Sequence, residues 1–265
     1  MDDPLITLTT DFGTASPYVA AMKGVILSVN PRARLLDLTH DIPPQNIDHT
    51  AFFLASALPY FPAGCIHVVV VDPGVGTDRA LLYVELGNLR LLVPDNGCWT
   101  ELERTSRLQP AVIRLTEPAF WRASVSATFH GRDVLAPVAG HLSLGVNPNR
   151  LGAPVDQWIR RESRPSRLET GRLVGEVVFV DHFGNLLTNL SAEALHTLPG
   201  PVRFTVGDRT VDQQVRTYAE AQAGTAVALI SSSGHLEIAV SHGNAAQHLQ
   251  AHVGTPVIVT TWNRD

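Results

Sequence analysis

His67-Val68-Val69-Val70-Val71-Asp72-Pro73-Gly74-Val75-Gly76-Thr77-Asp78-Arg79 is an apolar, β-branched run that stops at a carboxylate and turns through two glycines to an arginine. Four consecutive valines read as a strand buried on both faces, as in a parallel sheet. Open α/β sheets bind ligands in the crevice beyond their strand ends, so Asp72 stands where a site residue belongs, with Arg79 folding back near it. Asp-Pro-Gly is also the ordinary composition of a strand-ending turn, and this stretch alone leaves both readings open.

The N-terminal half repeats the pattern. Leu5-Ile6-Thr7-Leu8-Thr9 leads to Thr10-Asp11-Phe12-Gly13, Leu35-Leu36-Asp37-Leu38-Thr39 to His40-Asp41, and Leu89-Arg90-Leu91-Leu92-Val93 to Pro94-Asp95-Asn96-Gly97. Carboxylates gathered on one sheet edge repel one another unless a ligand or cation organises them, which predicts a polar crevice. Between these runs, residues 16–30 carry Val19, Met22, Ile26 and Val29 at helical spacing, with Ser16-Pro17 as cap and first-turn pair and Pro31 as the stop. Residues 46–60 form a second helix, and the alternation predicts a layered α/β domain over residues 1–160.

From residue 151 to 171 the apolar periodicity fades. Arg160, Arg161, Arg164 and Arg167 are interleaved with Pro154 and Pro165, and we place the linker at 161–170. Beyond it, strand-like runs at 173–180, 202–206, 210–215, 226–230, 236–240 and 256–261 predict a smaller β-barrel or sandwich domain over 171–265. There, Val180-Asp181-His182-Phe183-Gly184-Asn185 presents a stacking face at Phe183 and, at Asn185, a donor and an acceptor for a heterocycle edge. Ser231-Ser232-Ser233-Gly234 offers hydroxyl and N–H donors to a carboxylate. Both stretches are equally ordinary polar hairpin turns.

Composition narrows the function. With 265 residues, 45% hydrophobic and 17% charged, the chain has the balance of a compact soluble protein. A net charge of −5 argues against nucleic acid, which demands a basic surface. The two cysteines, Cys65 and Cys98, have no zinc or disulfide spacing, so a reducing cytoplasm is expected. No signal peptide or membrane anchor is visible, and eleven histidines without a His-Glu-x-x-His pattern give no reason to expect a metal.

Read in order, Thr10-Asp11-Phe12-Gly13, Asp72-Pro73-Gly74-Val75-Gly76 with Arg79, Pro94-Asp95-Asn96-Gly97, Phe129-His130-Gly131-Arg132-Asp133 and Phe183-Gly184-Asn185-Leu186-Leu187-Thr188-Asn189 resemble the adenosine-forming S-adenosyl-L-methionine (SAM) hydrolases, also called SAM hydroxide adenosyltransferases, relatives of fluorinase and chlorinase. The resemblance runs from Ile6 to about Val259. It implies an N-terminal α/β domain and a C-terminal β-barrel in a homotrimer whose sites join the N-terminal domain of one subunit to the C-terminal domain of its neighbour. It also implies hydrolysis of SAM to adenosine and methionine without a cofactor, by in-line attack of water at C5′. Asp72, Arg79 and His130 match the triad around that water, and Asp11 the carboxylate that grips the ribose. Phe183 and Asn185 match the adenine contacts, Asp181 the ammonium contact, and Ser232 and Ser233 the carboxylate contacts, while Glu237 belongs to the same C-terminal signature. Two positions depart from the family pattern: Gln45 in Pro43-Pro44-Gln45-Asn46, and His235 before Leu236-Glu237, each where an aromatic is usual. The alternatives are a halide-dependent transferase, a noncatalytic adenosine or SAM binder, and a metal-dependent hydrolase using Asp11, Asp72 and Asp95.

Overall fold

The computed structural model describes residues 4–162 and 165–261. The chain forms two compact units, Met1–Arg161 and Glu162–Asp265. The first contains β1 (Leu5–Thr10), α1 (Tyr18–Val29), β2 (Arg34–Thr39), α2 (Ile47–Ala57), β3 (Ile66–Val70), β4 (Leu81–Leu86), β5 (Leu89–Pro94), α3 (Thr100–Ser106), β6 (Ala111–Leu115), α4 (Ala136–Ser143) and β7 (Gly152–Pro154). Its seven-stranded sheet runs β2-β1-β3-β5-β4-β6-β7; the first four strands are parallel, and β4, β6 and β7 extend it antiparallel.

The valine run of β3 is explained by the layers it separates. Val68 and Val70 face a core that includes Met22 and Ile26 of α1 and Val138 and Leu142 of α4. Val69 faces the opposite core, with Leu54 of α2 and Trp99 and Leu102 at α3. The connection from β1 to β2 therefore lies on one face and that from β2 to β3 on the other. β1 is hydrogen-bonded to both β2 and β3, so the chain leaves β1 in one direction and returns on its other side. This is the topological switch point at which open α/β sheets form ligand crevices. Thr10 pairs with Val70 there, and Asp11 and Asp72 follow just beyond.

The second unit contains β8 (Arg167–Glu169), β9 (Arg172–Val180), β10 (Leu186–Ser191), α5 (Ala192–Leu195), β11 (Val202–Val206), β12 (Arg209–Val211), β13 (Gln213–Gln214), β14 (Ala226–Ile230), β15 (His235–Val240), α6 (Ala245–Leu249) and β16 (Pro256–Thr261). They form a nine-stranded, nearly barrel-shaped sheet of order β12-β11-β16-β9-β10-β15-β14-β13, with β8 added at β9. β9 pairs with β16 through residues 172–176 and with β10 through 177–180. At its middle, Gly175 lies so close to Leu190 that a Cβ would meet the Leu190 side chain at 2.4 Å. Only glycine fits where the strand changes partner.

Three local expectations need amendment. α1 starts at Tyr18 with Pro17 at the N-cap, and Ser16 makes no cap; its hydroxyl instead donates to the Phe12 carbonyl at 3.0 Å. The run 210–215 is two strands, because the chain leaves β11 at Asp212: β12 pairs antiparallel with β11, and β13 pairs parallel with β14. Within the stretch expected to link the domains, residues 167–169 pair with β9, and Arg161 is held by Asp48 of the first unit. No helix among the described residues is long and apolar enough to cross a membrane.

His67, in β3, is almost wholly buried. Its Nδ1 shares a 2.7 Å hydrogen bond with Thr7 Oγ1, while Nε2 has no partner. Burial depresses its pKa from 6.5 to about 4. The unfolded chain therefore takes up this proton first, and stability falls as pH drops from about 6.5 towards 4, by about 3 kcal/mol at 1.36 kcal/mol per pKa unit. We expect urea unfolding between pH 7 and 4 to show this loss in the wild type and a shallower pH slope in His67→Leu; equal slopes would reject the assignment.

Candidate active site

The turn after β1 is pinned from several sides. Thr10 Oγ1 accepts from Phe12 N–H at 3.2 Å and lies 2.9 Å from His40 Nδ1. His40 Nε2 in turn lies 3.0 Å from Asp37, and the His40 carbonyl accepts from Gly13 N–H at 2.8 Å. Since Thr10 is accepting from Phe12, its hydroxyl hydrogen is free to go to His40, and this chain of bonds fixes the direction in which Asp11 leaves the strand. One Asp11 oxygen accepts from Gln45 N–H at 2.7 Å. Gln45 has φ 64°, a left-handed conformation uncommon for a side chain of its size.

The turn after β3 brings Asp72 and Arg79 together. The Asp72 carbonyl accepts from Val75 N–H, Gly74 O from Thr77 N–H, and Gly76 takes φ 83°. Asn96 closes the strand end by donating Nδ2–H to the Val71 carbonyl at 2.9 Å. Arg79 Nε lies 3.0 and 2.9 Å from the two Asp72 oxygens, and its Nη2 also reaches Oδ2. Both side chains are less than a tenth exposed. Such a buried pair holds only with well-aligned, charge-assisted hydrogen bonds, which the guanidinium fork supplies.

His130 completes the cluster. Its Nδ1 is 3.0 Å from Arg79 Nη2. A guanidinium only donates, so Nδ1 is the acceptor and neutral His130 carries its proton on Nε2. Burial first, and then the Arg79 charge, hold its pKa below 6.5. His130 enters a π-helical turn, Gly131–Leu135, a wide helical form that recurs at functional sites. Gly131 presses on the end of β3, where a Cβ would meet Val70 at 2.9 Å. Phe129 packs on the turn after β1 and the start of α1: its ring meets Phe12 at 5.7 Å and Tyr18 at 5.3 Å, both edge to face.

Asp95 does not share this role. Its carboxylate accepts from Ile159 N–H at 2.8 Å, anchoring the segment that leaves the first unit. Among the described residues no group of three or more His, Cys, Asp and Glu side chains is arranged to hold a metal ion.

In the second unit, Asp181 organises the turn between β9 and β10. One oxygen accepts from Phe183 N–H and Asn185 N–H at 2.9 and 2.8 Å, and the other from Asn185 Nδ2 at 2.9 Å. This commits one of the two Asn185 amide hydrogens to Asp181, and the Phe183 ring is about three-quarters exposed. Gly184, at φ 85°, fits under Asn244, the N-cap of α6. Glu237, buried in β15, accepts from Tyr218 Oη at 2.6 Å. Burial raises its pKa, Asp181 adds to that, and the Tyr218 hydrogen bond opposes it. Ser232 and Ser233 are exposed on the β14–β15 turn, where Ser231 and Ser233 hydroxyls lie 2.8 Å apart. The structure thus joins Asp72, Arg79 and His130 directly, sets Asp11 at the neighbouring strand end, and gathers Asp181, Phe183 and Asn185. Tyr218 sits in an irregular segment and carried no sequence signal.

Residues 6–152 match the SAM hydroxide adenosyltransferase N-terminal domain and residues 175–258 its C-terminal domain, and the chain belongs to this family. It is 39% identical to the (R)-S-adenosyl-L-methionine hydrolase of Salinispora arenicola, covering 97% of this chain and 98% of that protein. It is 40% identical to the protein of that name from Thermus thermophilus, covering 94% and 96%. Similarity to the fluorinase of Actinoplanes sp. is lower, at 26% identity over 97% of this chain and 98% of the relative. The crystal structure of an uncharacterized conserved protein from Thermotoga maritima superposes with a TM-score of 0.90 at 31% identity, covering 96% and 99%.

The turn carrying the ion pair is tested at Gly76, where a Cβ would lie 2.6 Å from the Ala127 carbonyl oxygen. Gly76→Ala adds this clash to left-handed strain, and we expect a loss of stability above about 1 kcal/mol. Thermal unfolding unchanged from the wild type would show that the turn and residue 127 do not pack as described.

Proposed function

We propose that the protein hydrolyses (R)-S-adenosyl-L-methionine to adenosine and L-methionine, with water attacking C5′ in line with the departing sulfur. The observation that carries this reading is the Arg79 guanidinium held between the Asp72 carboxylate and His130 Nδ1. As the oxygen–C5′ bond forms, the C5′–S bond breaks and its electron pair stays on sulfur, which leaves as a neutral thioether and needs no general acid. The proton lost by the water is what the protein must manage. His130 has its lone pair committed to Arg79, so Asp72 is the proton acceptor. Its Oδ1 carries one contact from Arg79 where Oδ2 carries two, leaving Oδ1 the freer face for water. The Arg79 guanidinium favours developing hydroxide, while His130 Nε2–H donates into the cage.

In this reading Asp11 grips the ribose hydroxyls with the oxygen not engaged by Gln45. Phe183 and Asn185 meet adenine, Asp181 the ammonium, Ser232 and Ser233 the carboxylate, and Glu237 supports that end. The working form is a homotrimer in which a neighbouring subunit supplies the residues of the second unit. The free, buried cysteines Cys65 and Cys98 accord with a cytoplasmic setting. The Asp72 carboxylate at the attack position disfavours a halide, which favours water over the chemistry of the fluorinase relatives.

Reaction in oxygen-18 water is expected to place the label on the 5′-hydroxyl of adenosine; unlabelled adenosine, or a 5′-halogenated nucleoside in the presence of chloride or fluoride, would overturn the mechanism. Asp72→Asn should lower adenosine formation by about 10²–10⁴-fold, the usual worth of a positioned general base. Asp11→Asn should instead weaken adenosine binding, by about 1.5–3 kcal/mol for hydrogen bonds to a charged group, as read by calorimetry. Because the His130 pKa is depressed, His130 stays neutral at and somewhat below its ordinary value of 6.5. Turnover should accordingly show no His130 limb centred at 6.5 as pH falls, and should decline only at lower pH, when protonation expels Nδ1 from Arg79. A limb at 6.5 that vanishes in His130→Gln would contradict the assigned tautomer.

A further inference from the structure

Asp133 is a fully buried carboxylate that plays no direct part in the proposed chemistry. It accepts from Arg132 Nε and Nη2 at 2.7 and 2.8 Å, from Arg122 Nη1 at 3.0 Å and from Ser126 N–H at 2.9 Å. Its own carbonyl accepts from Arg122 N–H at 2.9 Å, and its N–H donates to the Phe129 carbonyl at 3.0 Å. Apart from Arg132, every one of these partners belongs to the loop of residues 122–130, which ends at His130. Ala123, Ser124 and Val125 are exposed, so that part of the loop has little apolar packing to hold it.

The same loop touches the rest of the cage. Ala127 covers Gly76 of the Asp72-to-Arg79 turn, and Arg132 lies 4.9 Å over the Phe129 ring, which meets Phe12 beside Asp11. Gly131, in the π-helical turn with Asp133, abuts Val70. Buried ion pairs add little net stability compared with apolar residues of the same volume. A carboxylate receiving four donors around one irregular loop is better matched to setting that loop's position. Burial would raise the Asp133 pKa, but hydrogen bonds from Arg132, Ser126 and Arg122 outweigh it and hold the group ionised.

We infer that Asp133 is a positioning residue for the cage: its carboxylate clamps residues 122–130 onto the Asp72-to-Arg79 turn and thereby sets the His130 imidazole against Arg79. A displacement of about 1 Å far from the chemistry lowers a rate by up to about 10²-fold. Asp133→Asn is therefore expected to lower kcat for adenosine formation towards that extent while KM for SAM and adenosine affinity are unchanged. Nitrogen-15 NMR of His130 is expected to change from the Nε2–H tautomer to a tautomer mixture. Arg122→Gln, at a side chain half exposed to solvent, should shift both readouts in the same direction by less, and it decides the question if Asp133→Asn fails to fold. A folded variant with wild-type kcat and tautomer overturns the inference. So does a parallel fall of kcat and adenosine affinity with the His130 spectrum unchanged, which marks general loss of structure. The kinetic arm rests on the hydrolase reading; if the wild type forms no adenosine, that reading fails and the His130 spectra still decide the role of Asp133.

Discussion

The Asp72–Arg79 pair is the constraint around which the first unit is arranged. Two opposite charges sit at the end of β3 with almost no access to water, a placement that is stable only if the guanidinium fork meets the carboxylate squarely. That geometry requires a turn tight enough to bring residue 79 back to residue 72, and the left-handed Gly76 makes it possible. It further requires a third group for the remaining guanidinium hydrogens, and the His130 lone pair supplies one. In the proposed mechanism the choice of proton acceptor rests on hydrogen-bond valence: the imidazole is engaged as an acceptor by Arg79, so the carboxylate serves as the base.

The carboxylates of the two proposed half-sites are partnered differently. In the first, Asp72 and Asp133 face arginines. In the second, Asp181 is served by neutral N–H donors and Glu237 by a phenol, and neither has an arginine or lysine among its described partners. An Asp181 carboxylate with no cationic partner suits a ligand that brings positive charge, and the ammonium of the proposed substrate provides it.

Much of this was legible in the sequence because it is encoded locally. The valine run gave a doubly buried strand with Asp72 at its end, and glycine spacing gave the turn returning to Arg79. What stayed hidden depends on contacts between distant residues. Asp95 has the same local signature as Asp72, yet its carboxylate is taken by Ile159, 64 residues away. Asp133 lies in a stretch that resembles an ordinary helix start, where an aspartate between an arginine and a valine reads as solvated; only the packing of the π-helical turn buries it. Ser16 is a good capping residue by type, but Pro17 occupies the cap and the hydroxyl turns back to Phe12. Asp212 sits within an alternating pattern that conceals a change of partner strand.

The contacts within the cage also differ in how far they reach along the chain. Arg79 and Asp72 are 7 residues apart, whereas Arg79 and His130 are separated by 51. Closing the longer loop carries an entropy cost about 2 kcal/mol greater, since that cost grows as three-halves RT times the logarithm of length. The ion pair is thus nearly a local property of one turn, while the seating of the imidazole reports on the integrity of the whole unit. Displacing the segment that precedes α4 separates His130 from Arg79 and leaves the pair intact. In the proposed mechanism catalytic competence is consequently lost before charge pairing is, at a lower degree of unfolding than would expose the buried charges to water.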